Sequence, residues 1–174
     1  MNIFKLFQIV PEKKQEFGQL FDRISQLGEQ LSDTDLKKVT ATAGLYGRIA
    51  YADTEITPDE VEKIKSILAT DTGLSKKSSA IVTTLMLENK VELLTLEEHF
   101  YTRLANECMT VDEKKSLLKK MFQIAAADGT ICLEEENQLY GVASHLKLSR
   151  QEIVELKREF KEYLSVFQSG SQQR

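Results

Sequence analysis

The 174-residue chain has no tryptophan, two prolines, two cysteines and eight glycines. So few helix breakers leave long helices uninterrupted. Cys108 and Cys132 alone make no disulfide framework, and a chain of this size does not need one; a reduced, cytoplasmic setting is expected. No run approaches the roughly 18 apolar residues of a membrane span. The opening MNIFKLFQIVPEKK has no basic leader region, no long apolar core and no small-residue cleavage site, so it does not read as a signal peptide. Net charge is −4 and no Lys/Arg block exceeds two residues, which argues against nucleic acid as a partner, since phosphate neutralisation needs a concentrated basic face. The lysine pairs at 13–14, 37–38, 76–77, 114–115 and 119–120 read as solvated helix faces. Phosphate-binding loops, dinucleotide fingerprints, zinc spacings and nucleophile elbows are all missing from the sequence.

Helix-start signals are plentiful. Thr57-Pro58-Asp59-Glu60 is a capping box with proline at the first helical position. Thr95-Leu96-Glu97-Glu98, Thr110-Val111-Asp112-Glu113 and Ser149-Arg150-Gln151-Glu152 are three more, Ser32 to Asp35 is a weaker one, and Ser75 is a lone N-cap. Each opens a segment with helical apolar spacing, such as Leu36, Val39, Ala43, Tyr46 and Ala50, or Ile153, Leu156, Phe160, Leu164 and Phe167. Nothing alternates as a strand would. The expected helices lie near 12–31, 33–53, 58–70, 75–88, 95–107, 111–128, 133–145 and 149–167. Residues 1–10 are amphipathic and suit either core packing or docking to a partner or membrane surface. Residues 169–174 read as a flexible tail.

The chain also repeats itself. Ile49-Ala50-x-Ala52-Asp53 matches Ile124-Ala125-x-Ala127-Asp128, Ile56 matches Ile131, and Asp59-Glu60 matches Glu134-Glu135. Leu74-Ser75-Lys76 then echoes Leu148-Ser149-Arg150 with one residue deleted. The expected fold is therefore an all-α, compact, pseudo-symmetric bundle of about seven to eight helices. Two related three-helix units, about 33–88 and 110–168, are joined by the helix near 95–107 and preceded by an N-terminal segment over 1–31.

Each unit is expected to place an Asp in the last turn of a helix, where the negative end of the dipole disfavours it. One explanation is local: the carboxylate accepts backbone N–H groups two or three residues ahead, Gly129 takes a left-handed conformation, Ile56 and Ile131 plug the corner into the core, and Glu60 and Glu135 sit at a helix N-terminus that favours their charge. The other is a cation. D-G-x-I-x-x-x-E is the back half of an EF-hand loop, but the front-half ligand positions fall on Ile124 and Ala126, and on Ile49 and Tyr51 in the first copy, so a standard EF-hand is excluded. A different acidic site would use Asp128 and Glu135 first, then Asp53 and Glu60, with Glu134 or Glu136 contributing; such hard oxygen ligands select Ca²⁺ or Mg²⁺.

Ala127-Asp128-Gly129-Thr130-Ile131 followed by Glu135, on a helix–loop–helix and repeated once, resembles the TerB-like family, named for tellurite resistance proteins. A related domain precedes J-domains in some membrane co-chaperones. The likeness covers about residues 33–165. It implies an all-helical cytoplasmic domain with acidic clusters that bind metal, and a role in stress response or assembly with protein partners rather than a defined reaction. The first copy departs from the pattern with Thr54 at the glycine position.

No enzyme is expected. His99 and Cys108 are nine residues apart and would need direct contact to form a nucleophile pair. His145 falls in the last turn of its helix. Cys132 falls at an N-cap, a position that lowers a thiol's pKa. The second function class is a pure protein-interaction or co-chaperone-type adaptor, with structural acidic turns and no metal.

Overall fold

The computed structural model describes residues 18–27, 31–53, 56–95 and 99–165. Among them the chain forms nine α-helices: α1 (Gly18–Ser25), α2 (Asp33–Ala50), α3 (Pro58–Asp71), α4 (Lys76–Glu88), α5 (Lys90–Thr95), α6 (His99–Cys108), α7 (Val111–Ala125), α8 (Leu133–His145) and α9 (Arg150–Glu159). A short 3-10 helix follows at Lys161–Tyr163, and no strand occurs among the described residues. The all-α expectation holds. The amphipathic residues 1–10 and the tail 169–174 lie outside the described residues.

The caps form where local chemistry demanded them. Thr57, Thr110 and Ser149 each complete a capping box with Glu60, Glu113 and Glu152, and Ser32 and Ser75 cap α2 and α4. Thr95 is the exception. It is the last residue of α5, a helix over Lys90–Thr95 that the sequence did not announce, and its hydroxyl donates back to the Val91 carbonyl at 2.7 Å; the helix expected over 95–107 is described from His99 to Cys108 as α6. The helix expected to run to 167 also breaks. α9 ends at Glu159, because the Phe160 ring stacks on Phe122 with centroids 5.2 Å apart and Leu164 turns extended into a fully buried position. There the chain pairs with Ile131: Ile131 N–H donates to the Tyr163 carbonyl at 2.6 Å and Ser165 N–H donates to the Ile131 carbonyl at 3.1 Å.

α2 is the centre of the bundle and packs on α1, α4, α5, α6, α7 and α8. Every residue from Val39 to Gly47 is buried, so the helix is enclosed on all sides rather than along one stripe. Its small residues permit this. A Cβ at Gly44 would lie 2.3 Å from Cδ1 of the buried Tyr101 ring, and one at Gly47 would lie 2.6 Å from Leu93 Cδ1. Tyr101 in turn donates its hydroxyl to Glu92 at 3.3 Å, and the Glu92 carboxylate accepts the N–H groups of Gln19 and Leu20, capping α1 from more than seventy residues away. α9 is docked largely by charge: Lys115–Glu152 at 2.7 Å, Lys119–Glu159 at 2.5 Å and Lys157–Glu136 surround its one buried apolar residue, Ile153.

Candidate functional site

The two corners that follow α2 and α7 are built alike. Tyr51 N–H donates to Gly47 and Ala52 N–H to Ile49; seventy-five residues on, Ala126 N–H donates to Phe122 and Ala127 N–H to Ile124. The helices therefore end at Ala50 and Ala125, three residues before Asp53 and Asp128. This corrects the expectation that both aspartates occupy a last helical turn. They stand beyond it, clear of the unfavourable helix end. Asp128 makes the expected Asx turn, Oδ1 accepting Thr130 N–H at 3.0 Å, and Gly129 takes φ +98°, a left-handed conformation closed to most side chains. Thr54, the first copy's departure from the motif, lies outside the described residues.

Each corner leads into a capping box. Glu60 Oε2 accepts Thr57 N–H at 2.8 Å, and Glu135 Oε2 accepts Cys132 N–H at 2.8 Å. Cys132 is the N-cap of α8, as its position in the sequence implied, its sulfur accepting Glu135 N–H at 3.5 Å. Its thiol is not activated. Burial pushes it up to about 11, overriding the helix terminus, which corrects the lowered value expected at an N-cap. Ile131 is fully buried, while Ile56 is only partly so: the second corner is latched by Leu164 and the first has no such bridge among the described residues.

Glu60 and Glu135 are both buried, at 5% and 6% exposure, whereas Asp53 and Asp128 are exposed. The four carboxylates share one field. Desolvation is the main force raising Glu60, and the charges of Asp53 and Asp128 add to it. Desolvation likewise pushes Glu135 up to about 7, with Glu60 and Asp53 adding to it across the two corners. Corners distant in sequence are thus near enough in the fold for the charges of one to act on the other. Glu134 is exposed on the first turn of α8, where it helps hold up the Cys132 thiol. Glu136 is withdrawn into its ion pair with Lys157, which also lies 5.3 Å from the Tyr140 ring. The Thr57–Glu60 capping box was readable in sequence, as was Cys132 at an N-cap, but the box that Cys132 completes with Glu135 was not. The mutual burial of two glutamates was not, because it depends on how α3 and α8 are brought together by helices between them.

A match to the family model of tellurite resistance protein TerB spans residues 38–158. The chain belongs to the TerB family. The match contains both corners and every candidate acidic residue, Asp53, Glu60, Asp128, Glu134 and Glu135. No curated protein and no solved structure gives a significant match.

The other candidates separate. His99 and Cys108 are the first and last residues of α6, about 13 Å apart along its axis, so they form no nucleophile pair. The Cys108 thiol donates to the Leu104 carbonyl at 3.0 Å, and burial raises its pKa. No helix among the described residues is long and apolar enough to cross a membrane.

Proposed function

We propose that this TerB-family chain is a non-enzymatic binding and scaffolding module of the cytoplasm, serving stress response, whose paired corners hold a divalent cation. One observation carries the reading. Two glutamates from separate corners, Glu60 and Glu135, are both buried; Glu60 and Asp53 add to the cost of ionising Glu135, and Asp53 and Asp128 add to that of Glu60. A cation would relieve that repulsion. The donors are hard oxygens, which suit Mg²⁺ or Ca²⁺. Each glutamate uses Oε2 in its capping box. Among the described residues no three acidic, His or Cys side chains converge closely enough to grip a bare ion. The ion of this proposal therefore keeps much of its water shell, as Mg²⁺ commonly does when held by one or two carboxylates.

Thermal unfolding at pH 8 in EDTA and then in saturating MgCl₂ or CaCl₂ tests the proposal. The expected result is a Tm several degrees higher with metal, lost in Glu135→Gln and weakened in Asp128→Asn. An unchanged Tm supports the second reading, an adaptor for a protein partner with purely structural corners. That reading draws on the capping boxes, which already use the glutamates, and on Leu133, 56% exposed at the start of α8.

A further inference from the structure

The chain has two histidines, forty-six residues apart in sequence, and the fold brings them together. His99 is the first residue of α6 and His145 the last of α8; both are exposed, and their ring centroids lie 6.2 Å apart with the planes at 60°. We infer that this pair is a second metal site, distinct from the acidic corners, for a borderline transition-metal ion such as Zn²⁺, Cu²⁺ or Ni²⁺.

Metal–nitrogen bonds of about 2.0–2.1 Å place the ring centres of two imidazoles on one ion about 5–6 Å apart. The observed separation of 6.2 Å lies just beyond that range, and both rings are solvent-exposed, so side-chain rotation is the motion the proposal requires. The helices beneath them are joined: α6 packs on α8, and Asn106 Nδ2 donates to the His145 carbonyl at 2.8 Å, tying the end of α8 to the last turn of α6. Such a scaffold pre-orients two ligands carried on separate elements, which limits the ordering cost of binding. The negative pole of the α8 dipole beside His145 favours a cation and the positive pole of α6 beside His99 opposes it, so the attraction to the site comes from the imidazole nitrogens.

Imidazole selects Zn²⁺, Cu²⁺ and Ni²⁺ over Mg²⁺ and Ca²⁺, so the chemistry separates this pair from the carboxylate corners. Two protein ligands leave the remaining positions to water or to a group from another molecule. That arrangement suits a site that takes up and passes on an ion, or one completed by a partner, rather than a closed structural site.

The test measures Tm of the full chain at pH 7.5 in a non-chelating buffer with ZnCl₂, alongside the electron paramagnetic resonance spectrum with CuCl₂. The site predicts a rise of about 5 °C at a hundredfold excess over Kd, with nitrogen couplings from two imidazoles on copper. His99→Ala and His145→Ala, both at exposed positions, must each abolish the rise and reduce the copper spectrum to one imidazole. Cys132→Ser and Glu135→Gln must leave the rise intact, which keeps this outcome separate from that of the corner site. No rise with ZnCl₂, a rise retained in either histidine variant, or a rise lost in Cys132→Ser or Glu135→Gln overturns the inference.

Discussion

Glu135 does two opposed things. Its Oε2 satisfies the Cys132 N–H at the start of α8, while its burial and the nearby charges of Glu60 and Asp53 resist its ionisation. Its pKa stands at about 7, above the ordinary 4.5. The folded state therefore binds more protons than the unfolded chain between those two values, and this group's contribution to stability falls as pH rises from about 4.5 to about 7. Burial raises Glu60 as well, in the same sense. Glu135→Gln keeps an oxygen for the Cys132 N–H and removes the charge. In EDTA the variant is expected to be more stable than the parent at pH 8, on the order of 1–2 kcal/mol, with the difference vanishing near pH 4.5. Urea unfolding across that pH series measures it. Equal pH dependence in the two proteins would show that Glu135 ionises freely.

At the scale of the element, α2 shows where local pattern stops being informative. The stripe Leu36, Val39, Ala43, Tyr46 and Ala50 predicts a one-sided helix, and the helix is present, but its burial is all-round. Thr40 and Thr42 read as polar in sequence. Thr40 instead turns its hydroxyl to the Leu36 carbonyl at 2.8 Å, leaving its methyl group to the core. Capping boxes at Thr57, Thr110 and Ser149 were legible because donor and acceptor lie three residues apart. The placement of Thr95 at the end of α5, the break at Phe160 and the capping of α1 by Glu92 were not, because they depend on packing across the bundle. Gly44 tests the close approach of α6. In an exposed helix, Gly→Ala would stabilise by up to about 1 kcal/mol. Here the added Cβ would meet the buried Tyr101 ring at 2.3 Å, so Gly44→Ala is expected to destabilise by about 1–3 kcal/mol. A lower urea midpoint is the expected sign, and a higher one would show that the ring yields freely.

Across the molecule, the duplicated corners are visible as repeated backbone bonds and repeated caps, yet the two halves are not independent. α2 of the first unit packs on α7 and α8 of the second, and α3 packs on α7. The apolar core runs from Leu20 to Leu164 as one cluster. A single cooperative heat-capacity peak is expected, with calorimetric and van't Hoff enthalpies equal. Two resolved peaks would mean that the units melt separately.

The bridge between Ile131 and Leu164 has a consequence for synthesis on the ribosome. The first corner needs only residues up to about α3 to assemble its cap, but the strand-like clasp on the second waits for Tyr163, Leu164 and Ser165 to emerge. A nascent chain halted before that point carries one finished corner and one still unfastened. The segment that fastens the corner leading to Glu135 is thus made only after α9.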